Sequence, residues 1–241
     1  MKIILALLFL SFSAIADNNS KFQWVQYGVN NELIARATTL ENECPYIKVD
    51  GELFHMNLRA TKEDLELKEK VRICEYDITN AEQVYIDNNK LNLPPKQVKR
   101  FIVIGDTGCE SSVFDPNARH QECENPESWP FKEVVNKVVQ AKPDFVIHMG
   151  DYGYMNKHNN AEDSIKNKKM QWFLFKNEFF TPARNLLNNT PMIFVRGNHE
   201  SCSTTGIAWF LFLDPQKYSQ ECVEQTPTYN LKINDLNFIS F

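Results

Sequence analysis

The chain has 241 residues, 43% of them hydrophobic and 24% charged, with a formal net charge of -5. That is the length and composition of a globular protein with a real core. A mildly acidic chain argues against nucleic acid or an anionic membrane surface as a partner, because both call for basic patches.

The N-terminus reads as a secretory signal peptide over 1–16. Lys2 gives a short positive region, Ile3 to Phe12 is almost unbroken apolar sequence, and Ala14-Ile15-Ala16 is a small-x-small cleavage site before Asp17. The apolar run is too short to span a bilayer, which needs roughly 20 residues. The expected location is therefore secreted or periplasmic, without a membrane partner. Six cysteines in an exported chain imply disulfides. Six allow 15 connectivities, among which sequence does not choose. Pairing between chain neighbours is the working expectation: Cys44 with Cys74, Cys109 with Cys123, Cys202 with Cys222.

Residues 17–92 read as a small β-rich domain. Runs such as Phe22 to Tyr27 and Val71 to Tyr76 alternate with the strand period. Asn30-Asn31, Asp50-Gly51 and Asn88-Asn89 are turn signals, and Asp50-Gly51 is a hairpin candidate. Thr61 to Lys70 is charged and reads as a helical or mobile excursion. Residues 93–100, with Pro94 and Pro95, read as a linker.

From residue 101 the period changes. Phe101 to Ile104 is a continuous apolar run, the pattern of a strand buried on both faces, and Asp144 to Ile147 and Met192 to Val195 read as a second and a third buried strand. Between them, Trp129 to Gln140 and Met170 to Leu187 carry helical spacing. Trp172, Phe173, Phe175, Phe179 and Phe180 read as core. Gly206 to Leu213 is a short helix, and strands are expected near Thr228 to Ile233 and Leu236 to Phe241. Strand-helix alternation implies an α/β layered domain over 101–241.

Each buried strand runs into a polar turn with glycine. The turns are Gly105-Asp106-Thr107-Gly108, Gly150-Asp151-Tyr152-Gly153-Tyr154 and Gly197-Asn198-His199-Glu200. Ligands of open α/β sheets bind beyond the carboxyl ends of strands, so these turns are expected to converge. Carboxylates, an amide oxygen, an imidazole and a phenol make a hard donor set suited to divalent or trivalent metals. A shared Asp between two ions is the geometry of hydrolytic two-metal sites. Tyr152 rivals Tyr154 as a phenol ligand. His148 reads as a packed strand residue, and Arg119 and His120 as surface loop or lid.

These three motifs, in this order, resemble the calcineurin-like metallophosphoesterases, and among them the purple acid phosphatases. Gly108, where many relatives place a metal-binding His, and Tyr154, three residues after Asp151, carry the narrower likeness. The resemblance implies a layered metallophosphoesterase-type α/β domain preceded by a β-rich one. It also implies two metal ions, Fe(III) plus Fe, Zn or Mn. Asp106 and Tyr154 would bind the first ion, Asp151 would bridge the two, and Asn198 would bind the second. His199 would act catalytically on the transferring phosphoryl group of a small phosphorylated substrate, attacked by a metal-bound hydroxide. A phosphodiesterase or nucleotide hydrolase of the same superfamily, or a non-catalytic exported protein, are the alternatives. The family pattern also has a later His and a Gly-His-x-His, and no histidine follows His199 here. The 241 residues are therefore read as the N-terminal part of the enzyme, with an incomplete site and little activity expected of them alone.

Overall fold

The computed structural model describes residues 21–60, 71–110, 121–154, 172–205, 207–219 and 221–240. The expected signal peptide, the charged excursion at 61–70, and Arg119 and His120 lie outside the described residues.

The strands are β1 (Gln23–Tyr27), β2 (Leu33–Thr39), β3 (Tyr46–Val49), β4 (Glu52–His55), β5 (Asn57–Leu58), β6 (Arg72–Asp77), β7 (Val84–Ile86) and β8 (Asn89–Lys90). After them come β9 (Phe101–Ile104), β10 (Phe145–His148), β11 (Met192–Phe194), β12 (Tyr229–Ile233) and β13 (Leu236–Ser240). Helices are α1 (Phe131–Ala141), a π-helical stretch Phe175–Phe180 that runs directly into α2 (Thr181–Asn189), and α3 (Ala208–Phe212). Asp50 and Gly51, both at positive φ, join β3 to β4, as the hairpin signal required.

Seven strands form one mixed sheet in the order β5-β6-β2-β1-β11-β10-β9. β9, β10 and β11 are parallel, and β11 also pairs in parallel with β1 through Gln26 and Met192. The division drawn at 93–100 thus does not separate two sheets. Four strands from before it and three from after it share one ladder.

Strand periodicity sorts side chains to the two faces of this sheet. Trp24, Ile73, Val146, Met192 and Phe194 point into a core shared with α1, the π-helical stretch and α2. Val25, Cys74, Phe145, Ile147 and Ile193 point into a second core. The antiparallel sheet β4-β3-β7-β8 and the β12–β13 hairpin supply the far side of that core. The result is three layers around a sheet covered on both faces.

Two expectations need correction. β9 is an edge strand, and Phe101 and Val103 are exposed rather than buried. A continuous apolar run does not reveal whether a strand is central or marginal. Among the helix aromatics, Trp172, Phe175, Phe179 and Phe180 are buried, but Phe173 is 46% exposed and lies outside the core.

The disulfides are Cys44–Cys74, Cys109–Cys123 and Cys202–Cys222, each with Cα atoms 5.7 Å apart. They are the pairings expected between chain neighbours.

The early strands also grip the chain after α3. Arg59 donates to the carbonyls of Phe210, Leu211, Asp214 and Gln216, and Arg36 to those of Phe212 and Asp214. Both guanidiniums are buried and share Glu75 at 3.1 and 2.8 Å. Burial, with the adjacent Arg59 charge, pulls Arg36 down to about 9. Removing Arg59 would take this donor from the carbonyls of Phe210, Leu211 and Gln216 and leave Glu75 with Arg36 as its remaining guanidinium. Arg59→Met is expected to destabilise the protein by about 3–5 kcal/mol in urea unfolding. Arg59→Lys should recover only part of that, because an ammonium lacks the planar fork.

Candidate metal centre

The parallel strands β9, β10 and β11 deliver the three glycine-containing turns to one edge of the sheet. The first two turns continue the strand ladder. Asp106 N donates to Gly150 O, and Thr107 N and Gly108 N donate to Asp151 O, at 3.0–3.1 Å. Asp106 and Asp151 each follow a glycine and both sit in the left-handed region, at φ 57° and 58°. Non-glycine residues adopt this conformation at a cost, which is tolerated where the surroundings enforce it.

The turns are packed too tightly for side chains at their glycines. A Cβ on Gly197 would lie 2.2 Å from Asp151 Oδ1, and one on Gly150 would lie 2.3 Å from Gly197 N. A Cβ on Gly108 would meet Gly153 Cα and the Tyr154 ring at 2.7 Å. The absent side chain at 108 is therefore what admits the Tyr154 ring.

Into this space Tyr154 directs its phenol, which hydrogen-bonds Asp106 Oδ1 and reaches Asp151 Oδ2 at 3.2 Å. His199 N donates to Asp151 Oδ1 at 3.1 Å, and the His199 ring stands edge-on to Tyr154 with centroids 4.5 Å apart. Asp106, Asp151, Tyr154 and His199 all line one open cleft of about 620 Å³. Asn198 is the outlying member. It is exposed at the start of a one-turn 3₁₀ helix, Asn198–Glu200, and its neighbour His199 rather than Asn198 lines the cleft. Tyr152, the rival phenol, is buried in the core and donates to Val195 O at 2.9 Å.

Two buried carboxylates that the motif reading passed over hold the turns together. Glu200 accepts from Asp151 N, Tyr152 N and Gly197 N at 2.8–2.9 Å, tying the second turn to the third. Burial pushes its carboxyl up to about 7, against the pull of those three N–H groups. Glu178, from the π-helical stretch, accepts from Cys109 N and Tyr154 N at 2.9 and 2.8 Å, tying the first turn to the second. Glu200 sat inside a quoted motif and could have been found by asking what its side chain would do. Glu178 carries no local signal, because an aromatic-rich helix shows nothing of a register shift that turns one carboxylate inward.

His148 is fully buried, as expected of a packed strand residue, but it also bonds to both turns. Gly150 N donates to its Nδ1 at 3.3 Å, so the neutral ring carries its proton on Nε2, which faces Thr107 Oγ1 at 2.8 Å. Its ring stacks on Tyr152 at 4.1 Å.

The donors gathered here are two carboxylates and a phenol beside one imidazole. Among the described residues no group of three or more His, Cys, Asp and Glu side chains is assembled to hold a metal ion. The set that is present is rich in hard oxygen, and its chemistry fits a hard cation.

The model of one protein family matches residues 99–239, and that family is the calcineurin-like phosphoesterases. The chain belongs to the calcineurin-like phosphoesterase family. Among solved structures, the purple acid phosphatase from yellow lupin (Lupinus luteus) seeds superposes with a TM-score of 0.53 at 13% identity. The match covers 90% of this chain and 43% of the lupin chain, so the calcineurin-like chain spans less than half of its structural neighbour. At that identity the likeness is one of fold. No curated protein matches the sequence.

Two outcomes test the architecture around this cleft. Glu200→Gln keeps one acceptor oxygen but turns an amide N–H₂ toward at least one of the three N–H donors, and should cost about 2–4 kcal/mol in denaturant unfolding. Burial holds His148 at about 3 against an ordinary value of 6.5, so the folded state binds fewer protons than the unfolded one between those values. Stability should therefore fall as pH drops through 6.5 toward 3. Thermal melts across that range should show a shallower acid decline in His148→Asn than in the unaltered chain.

Proposed function

We propose that this chain is an exported, metal-dependent phosphomonoesterase of the acid-phosphatase type, with a dinuclear centre at the cleft. The observation that carries the reading is the meeting of Tyr154 Oη with Asp106 and Asp151 at the carboxyl ends of two adjacent parallel strands. In this reading Asp106 and Tyr154 hold a ferric ion, Asp151 is shared with a second ion of Fe, Zn or Mn, and Asn198 serves the second ion. When bound, such ions supply Lewis acidity toward phosphoryl oxygens and acidify water.

The remaining work belongs to the chain's own groups. Asp151 is oriented at both oxygens, by His199 N and by Tyr154 Oη. His199 is placed beside the phosphoryl group and donates a proton to the departing oxygen. Glu200 and Glu178 hold the turns at fixed separation, as positioning residues. The overall reaction takes a phosphate monoester and water to an alcohol and phosphate. Three disulfides support export to an oxidising compartment.

Among the described residues His199 is the one imidazole on the cleft. Added Fe(III) should give a visible phenolate-to-iron band that Tyr154→Phe removes. Hydrolysis of p-nitrophenyl phosphate with iron, zinc or manganese should fall at least about tenfold in Asp151→Ala. A band that survives Tyr154→Phe, or turnover indifferent to Asp151→Ala, would refute the assignment.

A further inference from the structure

The cleft has a second wall to which none of the proposed ligands belongs. Besides the carboxylates the cleft is lined by Ile104, Trp129, Pro130, Phe131 and Val134. Ile104 ends β9, while Phe131 and Val134 stand three residues apart on α1, with Phe131 buried behind the wall and Val134 open on it. Val134 is 39% exposed on it, an apolar side chain left open beside a polar site.

This wall is rigid and tied to the first turn. Trp129 Nε1 donates to Thr107 O at 2.9 Å, which sets the indole one residue from Asp106. Gln121 and Glu110 exchange hydrogen bonds, Gln121 N to Glu110 O at 2.7 Å and Glu110 N to Gln121 Oε1 at 2.8 Å. Gln121 Nε2 donates to Ser128 O at 3.0 Å, and the Cys109–Cys123 disulfide closes the same region. A surface held this way is ordered before a ligand arrives, which lowers the cost of binding.

We infer that this wall is the subsite for the alcohol part of the substrate, and that it selects phosphomonoesters whose leaving group carries an aromatic or bulky apolar moiety. The inference rests on the phosphoester reading of the cleft. A phosphoryl group between Asp106, Asp151 and His199 leaves its ester oxygen free to exit toward the contiguous apolar part of the lining, beside which Glu110 and Gln121 also line the cleft. A ring there would shed water against Trp129 and Val134 and stack or tilt on the indole.

Trp129 supplies its own reporter. Trp24, Trp172 and Trp209 are no more than 2% exposed, whereas Trp129 is partly open to the cleft. The experiment is titration of the full chain, with zinc or manganese present, by two non-hydrolysable probes, 2-phenylethylphosphonate and ethylphosphonate, read by tryptophan emission and calorimetry. The phenylethyl probe should bind about tenfold more tightly and quench emission, as burial of a ring face predicts. Trp129→Phe should keep the preference and lose the quench, and Val134→Asp should bring the affinity ratio toward one. Equal affinity for the two probes, or a ratio unmoved by Val134→Asp, overturns this subsite while leaving the phosphoester site standing. Failure of both phosphonates to bind overturns the phosphoester reading and this inference with it.

Discussion

The cleft depends on where the backbone N–H groups of three tight turns find acceptors. Turns at strand ends leave amides without ladder partners, and buried amides without acceptors are costly. Glu200 answers three of them at once and Glu178 two more. Each carboxylate bonds to two different turns, so each sets a distance between chain segments that are remote in sequence. The candidate metal ligands Asp151 and Tyr154 are attached to the very amides that these carboxylates hold.

That arrangement explains the backbone conformations beside it. Asp106 and Asp151 occupy left-handed conformations that an isolated turn would relax. Here the bonds from Thr107 and Gly108 to Asp151 O, and from Asp106 to Gly150 O, leave no room for relaxation. The glycines at 108, 150 and 197 are spaces as much as hinges, since a methyl group at any of them would overlap a neighbouring turn. Gly108 and Tyr154 form a steric pair in which one residue's missing side chain is the other's berth.

Much of this was legible in the chain. Three apolar runs ending in Gly-Asp or Gly-Asn turns imply parallel strands that deliver polar groups to one edge, and β9, β10 and β11 do so. The hairpin at Asp50-Gly51 follows from the φ preferences of two residues. What was not legible is non-local. Strand periodicity cannot say that β1, β2, β5 and β6 join the sheet of β9 to β11, because the ladder between Gln26 and Met192 has no local sequence correlate. For the same reason Phe101 and Val103 read as central and stand at an edge. Among the proposed ligands, Asp106, Asp151 and Tyr154 meet, while Asn198 shares their motif spacing but stands exposed beside the cleft.

The joining of β1 to β11 also has a consequence in time. β1, β2 and β6 can pair as soon as residue 77 is available, but one side of β1 then remains an open edge with apolar residues on both faces. Its partner β11 begins about 115 residues after residue 77, an interval on the order of 10 s at about 5–20 residues/s of synthesis. Arg36 and Arg59 wait as long for the carbonyls after α3, carrying charge at positions destined to be buried. The two guanidiniums that lock the late segment in place thus belong to a part of the chain made well before it. Completion of the seven-stranded sheet is a closing step between the two halves of the chain rather than a local event within either.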